Sequence, residues 1–137
     1  MKTYLDCYPC FLKQALSASR QAGASEELQR EIMLTVVKAK PIINDATLED
    51  AKTTGIDQLA KIIDNGSQAP GTIFEQCSEL FQQRFKKAEL IIAKGQANYE
   101  SLSECSAPIF FLLQAKCNVI ARDLGVAEGS AVLKQQL

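Results

Sequence analysis

The sequence predicts an α/β fold, in which a Rossmann-like, mostly parallel sheet follows two N-terminal helices. From residue 42 onward, short apolar runs rich in β-branched residues alternate with helical patterns. Residues 90–93 form the clearest run, which is apolar on both faces, as in a strand buried on both sides of a parallel sheet. With 137 residues we expect one domain, made of a helical segment (1–35) and an α/β segment (36–137).

Capping residues and prolines predict the first elements, two helices and a short strand. Pro9 suits the first position of a helix that Gly23 ends, and Ser25 begins a second helix. The end of the second helix is ambiguous, because residues 34–37 also fit the start of a strand. After the break at Pro41, residues 42–43 are predicted to be a short strand.

Capping signals mark the next helices. Thr47 with Asp50 has the spacing of a capping box, and the helix that it begins should end near Gly55. Thr72 with Glu75 repeats this spacing ahead of the clearest helix. The apolar face of that helix comprises Ile73, Phe74, Cys77, Leu80, Phe81 and Phe85.

The other elements follow from apolar runs and turn residues. Residues 59–63 fit helix or strand, and the Asn65-Gly66 turn favours strand. After residue 93 we expect a polar loop. The remaining predicted elements are a strand at 109–113, a helix at 117–124 closed by Gly125, and a strand at 131–133.

Composition excludes several classes of function. The net charge is −1, and the basic residues at 84–87 are the expected solvated end of a helix, so no nucleic-acid partner is predicted. No apolar run approaches the roughly 20 residues of a membrane span, and the N-terminus lacks an apolar leader. We therefore expect a cytoplasmic protein without a membrane partner.

The chain contains no histidine and five cysteines. The absence of histidine excludes Ser-His-Asp triads and His-ligated zinc. The odd number of cysteines argues against a disulfide framework. The pair Cys7-x-x-Cys10 has three alternatives: a thiolate metal site completed by Cys105 or Cys117, a redox pair, or packing at a helix start.

Two predicted strand ends carry candidate site residues. Asn44 and Asp45 follow one strand, where a carboxylate suits a divalent cation; alternatively, Asp45 caps the next helix. Lys94, beside the flexible Gly95, suits a phosphate, and the Asn98 amide can donate to an anion or bind a metal through its oxygen. The alternative there is an ordinary turn. A carboxylate for a metal and a lysine for a phosphate are the minimum for metal-assisted phosphoryl transfer.

Four motifs occur in order: Asp6-Cys-x-Pro-Cys10, Pro41-Ile-Ile-Asn-Asp-Ala-Thr47-x-Glu-Asp-Ala51, Ile91-Ile-Ala-Lys-Gly-Gln-Ala-Asn-Tyr-Glu-Ser-Leu102 and Gln114-Ala-Lys-Cys117. This set resembles the damage-control phosphatase family, formerly domain of unknown function 89, in its CxxC-bearing subgroup. The resemblance implies a divalent-metal-dependent hydrolase (Mn²⁺, Co²⁺, Ni²⁺ or Mg²⁺) acting on small phosphorylated metabolites. It also implies that Asp45 binds the metal, that Lys94 contacts the phosphate and that Asn98 belongs to the same loop signature.

The chain departs from the family pattern in two ways. Ala97 stands where this subgroup usually has glycine. Family members also carry a further segment before the Pro41 motif, which ends in a strand and an Asp-Asn-x-Gly-Glu motif that supplies other metal ligands. Here that segment is missing between Glu31 and Lys38, so the chain resembles a member with an internal deletion. The deletion would open a sheet edge, through which we expect self-association.

Three functional hypotheses follow. The first is a metal-dependent phosphatase with a partial metal site, in which Asp45 holds the cation while Lys94, Gly95 and Asn98 hold the phosphate. The second is a non-catalytic α/β remnant, or binding module, that retains the phosphate loop. The third is a metal or redox module centred on Cys7 and Cys10.

Overall fold

The structure, a computed structural model, describes residues 34–43 and 45–136, with four isolated positions before them (Ser17, Gln21, Gly23 and Ser25). The Cys7-x-x-Cys10 pair lies outside these residues, and so does most of the two predicted N-terminal helices. The described chain is mixed α/β, as predicted, and it divides into two compact units, Met1–Asn65 and Gly66–Leu137. The single domain and the Rossmann-like sheet stay predictions.

The first unit contains a small parallel sheet with a helix between its strands. Its elements are strand β1 (Leu34–Val37), helix α1 (Leu48–Thr53), a 3₁₀ turn (Ile56–Gln58) and strand β2 (Lys61–Asp64). The two strands are parallel over four residue pairs. Val37, Ala51 and Ile56 are buried together and form the core of this unit.

The prediction of a strand at residues 42–43 is wrong. The ambiguous stretch before them is strand β1, and residues 42–43 lie in a loop, where Ile43 is 80% exposed with φ of +49°. Pro41 explains the difference, because it has no N–H to give to a strand ladder. A left-handed backbone is uncommon for a β-branched residue such as Ile43, so this loop is locally strained.

The capping box at α1 is confirmed. The Thr47 side chain accepts a hydrogen bond from the Asp50 N–H, and the Asp50 carboxylate accepts from the Thr47 N–H at 2.8 Å and from its hydroxyl at 2.7 Å. These bonds to the Thr47 side chain and backbone lower the pKa of Asp50. The helix ends just before Gly55, as predicted. The strand interpretation of residues 59–63 is also confirmed, by β2.

The second unit is a three-stranded mixed sheet with helices. Its elements are a 3₁₀ turn (Phe74–Gln76), helix α2 (Glu79–Lys87), strand β3 (Ile91–Lys94), helix α3 (Gln96–Leu102), strand β4 (Ile109–Gln114), helix α4 (Asn118–Leu124) and strand β5 (Ala131–Gln136). The strand order is β3-β4-β5, with β3 parallel and β5 antiparallel to β4. The core gathers one face of β4 with residues of α3 and α4: Tyr99, Leu102, Ile109, Phe111, Leu113, Ile120 and Ala121.

The polar loop predicted after residue 93 is much shorter than expected. Only Gly95 separates β3 from α3, so β3, α3 and β4 form a parallel β-α-β unit. The glycine and the amide residues indicated a turn, whereas the start of the helix depends on contacts with residues far along the chain. Burial of β3 on both faces is also wrong, because Ala93 is buried while Ile92 is 38% exposed.

The helix predicted from Thr72 begins later. A 3₁₀ turn intervenes, and Ser78 is the N-cap of α2, with its side chain accepting from the Phe81 N–H. Cys77 is buried, as expected of a core residue. The basic residues that end α2, Arg84, Lys86 and Lys87, are exposed as predicted.

The last three predicted elements are confirmed as β4, α4 and β5, and Gly125 closes α4 with φ of +66°. None of the helices in the described part of the chain has both the length and the apolar character needed to cross a membrane.

Tyr99 joins three elements of the second unit. Its hydroxyl donates to Asp123 Oδ2 (2.6 Å) on α4 and accepts from Lys134 Nζ (2.9 Å) on β5, while its ring meets Phe111 edge-on, with centroids 5.1 Å apart. Burial, followed by the bond to Asp123, raises the pKa of Tyr99, and Lys134 acts in the opposite direction.

We predict that Asp50→Asn lowers the free energy of unfolding by about 0.5–1 kcal/mol at pH 7, because it weakens the capping box. The folded-state pKa of Asp50 is lowered, so its stabilisation is present above the ordinary value of 3.8 and is lost as the pH falls through the folded pKa. Urea unfolding at several pH values measures the difference, with the exposed Asp57→Asn as the control. A difference that is unchanged at pH 2 would contradict the prediction.

We also predict that one of the three tyrosines in the chain ionises above the ordinary pKa of 10.0. A pH titration of the absorbance at 295 nm should show a transition above pH 10.0 in the wild type and in Tyr4→Phe. The same transition should be missing in Tyr99→Phe. Because the raised pKa belongs to the folded state, the stability that it contributes is full below pH 10.0 and falls as the pH rises through the folded pKa. Persistence of the late transition in Tyr99→Phe would refute the assignment.

Candidate functional site

The carboxyl ends of the parallel strands β3 and β4 lie side by side. Lys94 ends β3 opposite Leu112, and the Gly95 N–H donates to the Leu112 carbonyl at 2.9 Å. Strand β4 ends at Gln114, which leads through Ala115 and Lys116 into α4. We call residues 94–98 and 114–117 the β3–β4 edge. In open α/β sheets this is the side on which ligands bind.

Gln96 ties the two turns of this edge together. Its side-chain Oε1 accepts from the Lys116 N–H at 2.8 Å, and its Nε2 donates to Glu100 Oε1 at 2.7 Å and meets Cys117 Sγ at 3.5 Å. Lys94 is thus the last residue of β3, and Lys116 follows the end of the neighbouring strand β4. Lys116 was missed as a candidate from the sequence, although the Gln114–Cys117 motif contains it.

Backbone groups at the start of α3 complete the edge. The first hydrogen bond of the helix runs from the Tyr99 N–H to the Gly95 carbonyl, so the N–H groups of Gln96, Ala97 and Asn98 precede the intrahelical ladder. Gly95 has φ of +97°, which favours glycine. Two lysines and several N–H donors suit an anion with several oxygens, such as phosphate.

The side chain of Asn98 bridges the turn after β3 and the loop that contains Thr72. Its Nδ2 donates to the Lys94 carbonyl at 2.8 Å, and its Oδ1 accepts from the Thr72 hydroxyl at 2.8 Å. An amide nitrogen carries two hydrogens, so one remains for a ligand after the bond to Lys94. The role of Asn98 as a phosphate ligand stays a prediction.

The loop of residues 70–72 packs against the first turn of α3. The Thr72 N–H donates to Ser101 Oγ at 3.0 Å, and that hydroxyl donates to the Ala97 carbonyl at 2.9 Å. A Cβ built on Gly71 would lie 2.5 Å from the Ala97 carbonyl oxygen. Only glycine permits this approach, and it also suits the φ of +66° there.

In the first unit, Asp45 lies in a loop whose two ends are joined by both backbone groups of Lys38. The Lys38 N–H donates to the Ala46 carbonyl at 2.8 Å, and the Leu48 N–H donates to the Lys38 carbonyl at 3.2 Å. The alternative that Asp45 caps α1 is wrong, because Thr47 is the N-cap. Asp45 and Lys94 belong to different units, so their predicted cooperation stays a prediction.

Buried polar residues follow the carboxyl ends of β1 and β2. Lys38 and Asn65 are 4% and 2% exposed, and Lys38 Nζ donates to Asn65 Oδ1 at 3.3 Å. The Asn65 N–H also donates to the Val37 carbonyl. The predicted Asn65-Gly66 turn thus contributes a buried amide that links the two strand ends.

The described residues alone do not complete a divalent metal site. Among them, no group of three or more His, Cys, Asp or Glu side chains could hold a metal ion, and Asp45 provides one carboxylate. Asn44, Cys7 and Cys10 lie outside the described residues. Cys117 is the N-cap of α4, and its role as a thiolate ligand stays a prediction.

Comparison with known proteins gives consistent matches. A family model described as "Damage-control phosphatase ARMT1-like domain" matches residues 32–132. An uncharacterized protein of Methanocaldococcus jannaschii is 52% identical over 74% of this chain and 34% of its own length. A damage-control phosphatase of Pyrococcus horikoshii is 49% identical over 69% and 33%, and one of Archaeoglobus fulgidus is 44% identical over 80% and 39%.

A solved structure is also similar. The crystal structure of a DUF89 family protein from Pyrococcus horikoshii has a TM-score of 0.70 and 46% identity, over 74% of this chain and 36% of that one. The chain spans between 33% and 39% of the length of the curated relatives that it matches.

We predict that Gly71→Ala destabilises the second unit more than Gly125→Ala does. Both glycines have φ of +66°, but among the described residues no heavy atom beyond the chain neighbours of Gly125 lies within 4 Å of a Cβ built there. Both variants incur the left-handed strain of about 1–2 kcal/mol, and only Gly71→Ala also displaces the Ala97 carbonyl. Urea unfolding measures both, and equal losses would show that the contact with α3 is unimportant.

Proposed function

Because the chain belongs to the damage-control phosphatase ARMT1-like family, we propose that it supplies the phosphate-holding part of a divalent-metal-dependent phosphatase. The proposed substrates are small phosphorylated metabolites. The main support is the β3-α3-β4 unit, in which Lys94 ends one strand and Lys116 follows the end of its parallel neighbour. Two relatives named damage-control phosphatases add to this support.

In this proposal the β3–β4 edge binds the phosphate group. The ammonium groups of Lys94 and Lys116 neutralise phosphate charge as point charges. Gly95 has no side chain, which would let phosphate oxygens approach the N–H groups that follow it. Gln96 holds the two turns at a fixed separation by accepting from the Lys116 N–H.

The proposed cation is Mn²⁺, Co²⁺, Ni²⁺ or Mg²⁺, with Asp45 and Asn44 as the ligands that this chain offers. A divalent cation of this kind would polarise the phosphoryl oxygens and lower the pKa of a bound water. Because the described residues do not complete its site, binding and charge neutralisation at the β3–β4 edge are the steps assigned to this chain.

The second candidate is a binding module that holds phosphate without hydrolysing it. The single carboxylate of Asp45 among the described candidate ligands favours this alternative.

The proposal also keeps the other expectations from the sequence. They are self-association through an open sheet edge, a cytoplasmic location and the absence of nucleic-acid and membrane partners. We also propose that the chain belongs to the CxxC subgroup and carries the internal deletion.

A metal or redox module centred on Cys7 and Cys10 is the third candidate. Cys105 is a poor choice to complete such a site. Burial, followed by the charges of Glu75 and Glu104, raises the pKa of its thiol and keeps it protonated at neutral pH. Cys117 is the remaining described partner proposed for a thiolate site.

We predict that the chain binds inorganic phosphate and that Lys94→Ala weakens this binding roughly 10- to 100-fold, the range for losing a hydrogen bond to a charged group. Lys116→Ala should weaken it similarly. Isothermal titration measures affinity, and hydrolysis of p-nitrophenyl phosphate with each of the four cations measures activity. The control is Lys52→Ala, which removes an exposed lysine of α1.

The outcomes separate the candidates. Metal-dependent hydrolysis that Lys94→Ala and Asp45→Asn both abolish supports the phosphatase. Phosphate binding without hydrolysis, indifferent to metal, supports the binding module. No phosphate binding by the wild type would exclude both.

A further inference from the structure

We infer that Thr72 is a positioning residue for the phosphate-holding turn, acting through Asn98 on the peptide that follows Lys94. This inference rests on the proposed function of the β3–β4 edge. Thr72 lies outside that edge and 26 residues before Asn98 in the chain.

The two hydrogen bonds of the Asn98 side chain have a fixed direction, from Thr72 through Asn98 to Lys94. The Lys94 carbonyl can only accept, so the Asn98 amide has to turn Nδ2 towards it, at 2.8 Å. Asn98 Oδ1 then faces Thr72, and the Thr72 hydroxyl has to donate to it, at 2.8 Å. Because each bond polarises the next, loss of the Thr72 hydroxyl should also weaken the bond to Lys94.

The two ends of one peptide group are held by different elements. The carbonyl of Lys94 accepts from Asn98, while the N–H of the same peptide, on Gly95, donates to the Leu112 carbonyl at 2.9 Å. The peptide is planar, so these bonds together fix its orientation. The bond to Asn98 thus adds a restraint on the carbonyl side of this peptide, next to a glycine with wide backbone freedom.

Thr72 is itself held in place. Its N–H donates to Ser101 Oγ at 3.0 Å, and Ser101 donates to the Ala97 carbonyl. The half-buried Thr72 side chain therefore reaches Asn98 from a backbone already attached to α3. Gly71 allows the loop to come this close.

The test compares Thr72→Val, which keeps the shape but loses the hydroxyl, with Thr72→Ser, which keeps the hydroxyl. The matched control is Thr53→Val on α1, where an exposed threonine hydroxyl donates to the Glu49 carbonyl. NMR gives the affinity for inorganic phosphate, the resonances of the Asn98 side-chain amide and the hydrogen-exchange rate of the Gly95 N–H.

We expect Thr72→Val to weaken phosphate binding about five- to tenfold and to speed Gly95 exchange by a similar factor, the size of one net hydrogen bond. The Asn98 amide resonances should shift in the same variant. Thr72→Ser should stay within about twofold of the wild type, and Thr53→Val should change neither quantity.

Two failures can be told apart. If the wild type does not bind phosphate, the proposed function fails, and unchanged Gly95 exchange in Thr72→Val would then show that the positioning role of Thr72 fails as well. If the wild type binds phosphate and folded Thr72→Val binds it equally well, the positioning role is wrong. In that case a lower melting temperature would show that Thr72 matters only for stability.

Discussion

The arrangement of the second unit depends on the peptide group between Lys94 and Gly95. Its N–H joins β3 to β4, and its carbonyl receives the Asn98 side chain from the first turn of α3. One planar group therefore sets the register at the end of the sheet and the start of the helix. The candidate phosphate site is a consequence, since Lys94 precedes this peptide and Gln96 follows it.

Local signals in the sequence predicted the elements whose hydrogen bonds are local. The capping box of Thr47 and Asp50 joins residues three apart, and Gly125 closes α4 through its own backbone. Thr72 and Glu75 have the same spacing, yet that prediction was wrong, because the Thr72 hydroxyl bonds to Asn98 and Ser78 caps α2. A partner far along the chain outweighed an identical local pattern.

The candidate site was predictable in part. Lys94 and Gly95 were found because they end an apolar run. Lys116 was missed because its nearness to that turn depends on how β3 and β4 align and on the bond from its N–H to Gln96. The structural role of Asn98 was missed for the same reason, since spacing alone cannot reveal a hydroxyl donor 26 residues away.

The contact between Gly71 and Ala97 has a consequence for how the family can vary. A side chain at position 71 would meet the carbonyl group of residue 97, which every amino acid carries, rather than its side chain. No exchange at position 97 could therefore make room for a larger residue at position 71. The two positions touch, but we do not expect them to covary. Position 97 can hold alanine or glycine, while position 71 is confined to glycine by a carbonyl group that no exchange at position 97 removes.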